Sequence, residues 1–281
     1  MLHTHPLEAS PRERVSESWT PSSGPAGPAA TRRPPLLHRV FSAGGLRTLF
    51  QPILELETGR TRAVECLSRG PRGSALESPA LLFELARERG EEAALDRTCV
   101  LTALDAATVL GEVQLSVNVH ASTLAVDPGF PSFLRDALDA VARPRTSLIV
   151  EIVEHTPAWD QAVFRGNLEA LRSSGFRIAL DDVGLGYSNY QMILETSPDL
   201  FKVDRYFVRG LERDDRRRAV LESIVQLAAR FGGKVVAEGV ESEEALAVLR
   251  ELGVPFGQGF LFLPPISAAA LLETEFAPAR D

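Results

Sequence analysis

Only two cysteines, Cys66 and Cys99, occur among the 281 residues. Two thiols cannot build a disulfide framework or a cysteine-based zinc site, so neither a disulfide scaffold nor a zinc module is expected. A surplus of positive charge is also missing: 30 Lys and Arg face 38 Asp and Glu, a formal net charge of −8. Wrapping duplex nucleic acid requires clustered cations that release the phosphates' counterions, and this balance argues against that class of partner. No apolar run reaches the roughly 18 residues of a membrane-spanning helix. The opening MLHTHPLEASPRERV has no apolar segment of the kind an export signal carries. The expectation is a cytoplasmic protein with no membrane partner.

What the chain does contain is an ordinary globular composition, 44% hydrophobic and 24% charged. Residues 1–39 stand apart: PSSGPAGPAATRRPP and its flanks show no sustained period of 2.0 or 3.6 residues. Such a segment buries too little to offset its ordering entropy and reads as a disordered tail. Its Trp19 reads as an isolated exposed aromatic. Residues 40–281 then form one domain, since α/β barrels of ~250 residues are single units.

From Phe41 onward, short β-branched apolar runs alternate with longer amphipathic stretches. The runs span Thr48 to Leu54, Thr61 to Arg69, Val113 to Val119, Ser147 to Val153, Arg177 to Asp181, Leu200 to Val203, Lys234 to Ala237 and Phe256 to Phe262. Eight of them predict a TIM-type (β/α)8 barrel. A tight Gly-containing turn joins the first two, so the first strand is expected antiparallel to the second. The stretches between read as helices. Pro79 suits the first turn of one running to Gly90. Asp214 or Asp215 starts another, with Val220, Ile224, Leu227, Ala228 and Phe231 on its apolar face and Gly232 at its end. Acidic residues open a third after Ser242, which stops at Gly253.

The functional signal lies at the strand ends. Glu65, Asn118, Glu151, Asp181 with Asp182, Lys202, Glu238 and Gln258 each fall within or just after an apolar run. Parallel strands in a barrel bring such positions to one mouth, where catalytic groups of this fold sit. Five carboxylates gathered there repel one another and would be driven to hold protons. Divalent cations resolve the conflict, and an all-oxygen set without His or Cys favours Mg²⁺ or Mn²⁺.

Eight motifs then occur in order: FQPI from Phe50, ECL from Glu65, SVN from Ser116, EIVE from Glu151, DDVGLGYSN from Asp181, KVD from Lys202, EGVE from Glu238 and QGF from Gln258. Together they resemble the EAL domain, named for Glu-Ala-Leu, over roughly Arg47 to Ser267. The resemblance implies a two-metal phosphodiesterase that opens cyclic di-GMP to linear 5'-pGpG, uses Mg²⁺ or Mn²⁺, and is inhibited by Ca²⁺. It implies that Glu65, Asn118, Glu151 and Asp181 hold one metal and that Asp181 and Asp182 hold the second. Lys202 and Glu238 handle the attacking water and Gln258 supports them, while Gln51, Leu67 and Arg69 contact substrate. Glu154 and Glu241 fix the loop after Asp182, and a homodimer through the barrel is expected.

The chain departs from the family pattern at several positions. Cys66 replaces Ala of the signature as a packing residue. Val183 and Leu185 stand where the loop after the Asp pair commonly carries Phe and Thr, Gly70 where many relatives have Trp, and Glu84 and Arg87 alter the helix at the substrate rim. His120 and His155 read as supporting or surface groups, and ERDDRRR, Glu212 to Arg218, as a solvated helix start. A silent cyclic di-GMP receptor is the main alternative to the enzyme, and a protein-interaction scaffold is a third reading.

Overall fold

The computed structural model describes residues 39–42, 44–153, 161–185 and 189–274. The expected tail up to residue 38, with Trp19, and Glu154, His155 and Gly186 lie outside the described residues.

Eight strands close a barrel in chain order: β1 Arg47–Glu55, β2 Thr61–Arg69, β3 Gln114–His120, β4 Leu148–Val153, β5 Arg177–Val183, β6 Leu200–Val203, β7 Lys234–Ala237 and β8 Phe256–Gly257. β1 runs antiparallel to both neighbours, β2 and β8, while the other pairs are parallel. Gly59 provides the reversal after β1 with φ of 71°, a conformation open to glycine without a Cβ clash.

Outside the barrel lie α1 Pro79–Glu88, α2 Glu92–Ala106, α3 Ala121–Val126, α4 Phe130–Ala140, α5 Gln161–Ser173, α6 Asn189–Thr196, α7 Arg205–Val208, α8 Asp215–Arg230, α9 Glu243–Glu251 and α10 Ala268–Leu272. Local chemistry sets several of these starts. The Asp214 carboxylate accepts from the backbone N–H of Arg216 and Arg217 at the head of α8, and Ser242 accepts from Ala245 at the head of α9. Each cap satisfies donors that the first turn leaves without helical partners.

Two expectations need correction. The last run does not continue as a strand to Phe262. The chain leaves the sheet after Gly257 because residues 258–261 turn onto the β7 exit: Val240 N–H donates to Gln258 O and Leu261 N–H to Val240 O, each at 3.0 Å. A Cβ at Gly259 would sit 2.1 Å from Val240 O, so only glycine permits this approach. The apolar face of α8 is also displaced. Leu221, Ile224 and Ala228 are buried, whereas Val220 is 40% exposed. Leu221 is the residue that faces the barrel, and Val220 with Leu227 lines an open groove beside α6.

Side chains inside the barrel form layers, as the two-residue strand period requires. Ile53, Ala63, Ile149, Ala179, Leu200, Val236 and Phe256 pack into one apolar floor. Two residues further along the parallel strands β2 and β4 to β8 stand Glu65, Glu151, Asp181, Lys202, Glu238 and Gln258. On the antiparallel β1, the step runs backwards, from Ile53 to Gln51, which pairs across from Glu65. The floor positions and the polar layer are therefore consequences of one alternation.

Candidate metal centre and substrate cavity

Lys202 lies at the middle of the polar layer, 2% exposed. Its Nζ pairs with Glu151 Oε1, and stands 2.7 Å from Glu238 Oε1, 3.2 Å from Glu65 Oε2 and 3.7 Å from Asp181 Oδ1. Four carboxylates thus share one ammonium. Burial works against the charged lysine, but the surrounding acids, Glu151 foremost, outweigh it and hold its pKa well above the usual value.

One ammonium cannot satisfy all four acids. Burial and then the Glu65 charge push the Glu151 carboxyl well above the ordinary carboxylate range, against the pull of Lys202. Burial raises Asp181 as well, and lifts Glu238 to about 8 and Asp182 to about 6. Burial pushes Glu65 up too, but Lys202 and the amides of Gln258 and Asn118 prevail and hold it below its usual value. The amide contacts are Gln258 Nε2 to Glu65 Oε2 at 2.6 Å and Asn118 Nδ2 to Glu65 Oε1 at 3.2 Å.

Asp181 and Asp182 owe their placement to a break in the sheet. The β5–β6 register shifts between Leu180 and Val183, and Asp182 adopts φ of 52°. Bulges re-aim side chains near functional sites, and a left-handed aspartate is a local strain that the surrounding structure must maintain. The loop beyond is held by Leu185 N–H donating to Asp182 O. Val183, where relatives commonly have Phe, is buried in the core opposite Val203. The ring against this loop comes instead from Phe207: a Cβ at Gly184 would lie 2.6 Å from its Cε2.

Among the described residues, one carboxylate oxygen each from Glu65, Glu151 and Glu238 lie within 4.8 Å of one another, as do those from Asp181, Asp182 and Glu238. Glu238, expected to handle water, thus belongs to both clusters. Asp181 Oδ1 is buried without a hydrogen-bond partner. Hard oxygen donors, excess negative charge and a buried carboxylate oxygen without a hydrogen bond fit a divalent cation of the Mg²⁺, Mn²⁺ or Ca²⁺ type.

A cavity of about 440 Å³ opens from Glu65, Asn118 and Asp181 towards α1, with Leu67 and Arg69 in its wall. Other expected residues stand elsewhere. Gln51, buried opposite Glu65, donates from Nε2 to Leu263 O at 3.0 Å. Glu241 pairs with Arg209 at 2.7 Å and does not line the cavity. Gly70 explains the missing Trp: a Cβ there would be 2.0 Å from Leu76 O, so the segment that follows β2 folds over a position that admits only glycine.

Sequence reading passed over two groups. Ser116 Oγ donates to Glu151 Oε2 at 2.8 Å, and its place two residues before Asn118 on β3 could have marked it as inward-facing. Asp96 on α2, fully buried, accepts from His120 Nδ1 and N–H, both at 2.9 Å, and from Thr123 Oγ1 at 2.6 Å. His120 is therefore neither surface nor solvated. Burial opposes its charged form, but Asp96 prevails and raises its pKa.

The sequence model of the EAL domain matches residues 36–265. The chain belongs to the EAL-domain family. Probable cyclic di-GMP phosphodiesterase PdeG of Escherichia coli (strain K12) is 30% identical over 245 residues, 85% of this chain and 48% of the relative. Among solved structures, the manganese and cyclic di-GMP complex of Klebsiella pneumoniae BlrP1 is 31% identical with a TM-score of 0.71, covering 80% of this chain and 57% of that one. The PaMucR phosphodiesterase in complex with c-di-GMP is 29% identical with a TM-score of 0.74, covering 84% and 99%. The chain spans about half the length, or less, of the curated relatives it matches. No helix among the described residues is long and apolar enough to cross a membrane.

Proposed function

We propose that this EAL domain hydrolyses cyclic di-GMP to 5'-pGpG with two divalent cations, Mg²⁺ or Mn²⁺. The observation that carries the reading is the buried layer in which four carboxylates share one ammonium, opening into a cavity wide enough for a nucleotide. Relatives named as cyclic di-GMP phosphodiesterases, and structural neighbours that hold this dinucleotide, support the choice of substrate.

Glu65, Asn118, Glu151, Asp181 and Asp182 would hold the metals, with Glu238 as a further ligand suggested by its place in both clusters. Bound cations would polarise the phosphoryl oxygens and lower the pKa of a water. The chain's own part is proton handling and orientation. Water oxygen bonds to phosphorus, the bond from phosphorus to O3' breaks, and O3' takes up a proton. Glu238 Oε1, 2.7 Å from Lys202 Nζ, would take up the water's proton when ionised, a state that the neighbouring ammonium and bound cations would favour against its burial. Arg69 and Leu67 line the route to the acids, and Gln258 Nε2 keeps Glu65 and Glu238 in register with bonds of 2.6 and 3.3 Å.

One observation favours a second reading, a receptor that binds without cleaving: Lys202 already neutralises part of the layer without any cation. Chromatographic detection of 5'-pGpG after incubation with Mg²⁺ or Mn²⁺, against chelator and excess Ca²⁺, separates the two. Cation-dependent product establishes the hydrolase. Binding without product assigns the chain to the receptors, and absence of both sinks the substrate assignment. Sedimentation of the same sample tests the expected homodimer.

A further inference from the structure

One wall of the cavity is made by Phe83, Glu84 and Arg87 on α1. Arg87 is anchored there. Its Nε donates to Glu92 Oε1 at 3.2 Å, and Glu92, 8% exposed, receives a bond on its other oxygen from Ser122. A buried carboxylate tied on both oxygens fixes the guanidinium at its inner edge, while Nη1 and Nη2 make no hydrogen bond or ion pair among the described residues. Beside it, the Phe83 ring lies 4.4 Å from the His120 ring, tilted by 43°, and His120 is locked by Asp96. The wall therefore combines a rigid aromatic surface with a held guanidinium whose fork remains available.

These features match one kind of ligand group. A guanine presents O6 and N7 as adjacent acceptors, which an arginine fork pairs bidentately, whereas adenine places an amino donor where O6 would be. Resting on the dinucleotide reading above, we infer that Arg87, positioned by Glu92, reads the O6/N7 edge of one guanine of the substrate and so sets base specificity at the α1 end of the cavity. The phosphate at the acids and the base at α1 are then recognised by separate parts of one cavity.

The test is calorimetric binding of cyclic di-GMP and of cyclic di-AMP to the full chain, alongside turnover, for wild type, Arg87→Ala and Arg87→Lys. A good bidentate base contact corresponds to roughly a tenfold to hundredfold preference. Arg87→Ala should weaken cyclic di-GMP by about tenfold or more, with any kcat at saturating substrate held within about twofold because the acids are untouched. Arg87→Lys keeps the charge beside Glu92 but not the fork, so it should not restore affinity. Unchanged affinity in Arg87→Ala, an equal loss for both dinucleotides, or full recovery in Arg87→Lys would each overturn the inference while leaving the hydrolase reading intact. Wild type that binds without turnover defeats the hydrolase reading and leaves Arg87 to be judged on affinity. Wild type that does not bind cyclic di-GMP refutes both.

Discussion

Replacing Lys202 by Met keeps the volume of the side chain and removes the one ammonium that four carboxylates share. Breaking a buried ion pair by deleting one partner costs about 3–5 kcal/mol, because the remaining charge is stranded. At about 2–4 °C per kcal/mol for a domain approaching this size, the melting temperature in chelator should fall by about 6–20 °C. Protonation of the acids limits the deficit. A carboxyl whose folded pKa is raised binds more protons folded than unfolded, so its burial weakens stability as pH rises from the ordinary carboxylate range. In the wild type that window ends near pH 8 for Glu238 and near pH 6 for Asp182, and since Lys202 lowers both, its removal carries each window higher. The mutant's deficit should therefore be larger at pH 8 than at pH 5. A cation that binds the folded chain at one hundred times its Kd returns about 2.7 kcal/mol, so Mg²⁺ or Mn²⁺ should raise the mutant's melting temperature more than the wild type's. Differential scanning fluorimetry at both pH values, with chelator and with each metal, reads all three quantities. A mutant that melts with the wild type in chelator, or metals that move neither protein, would refute the charge balance described for this layer.

Two further outcomes follow from the geometry. Gly184→Ala forces a side chain onto the Phe207 ring at φ of 101°, so the loop after Asp182 must shift. Turnover of cyclic di-GMP should fall by about tenfold or more, as misplacements of this kind do, and an undiminished rate would show that the loop does not position Asp182. Burial pushes the Cys99 thiol up to about 12 and Cys66 higher still, so neither forms thiolate at pH 8.5 in the folded chain. Iodoacetamide should leave both unlabelled until denaturant is added, as mass spectrometry would show; rapid labelling of the native protein would contradict their burial.

Much of the architecture was legible because it rests on one local rule. The strand period placed Ala63, Ile149, Ala179, Leu200 and Val236 on the floor, with an ionic or polar residue two positions on, and six of the eight expected runs match the observed strands to within one residue at each end. The exceptions have non-local causes. Phe256 to Phe262 reads as one apolar run, yet Val240 captures residues 258–261 across the β7 exit. The left-handed Asp182 arises from a shift against β6 that DDVG does not announce. The cavity wall was the least legible part: Glu92, Asp96 and His120 meet across α2 and β3, 24 to 28 residues apart, and no helical or strand period links them.

Composition held one more signal about the site. Of the chain's 30 cationic side chains, only Lys202 and Lys234 are lysines. Arginine covers the surface pairs, including Arg97 with Asp127, Arg165 with Glu195 and Arg209 with Glu241. At the centre of the barrel its planar fork would pair two oxygens in one plane and leave other acids uncompensated. An ammonium is compact and can turn three donors towards carboxylates on different strands. Glu151, Glu238, Glu65 and Asp181 approach Lys202 from β4, the β7 exit, β2 and β5, an arrangement a guanidinium could not satisfy without pushing apart the layer above the apolar floor. The same compactness lets the lysine share the space with cations. It supplies one positive charge where five carboxylates, counting Asp182, converge, and the balance of negative charge would favour divalent cations there.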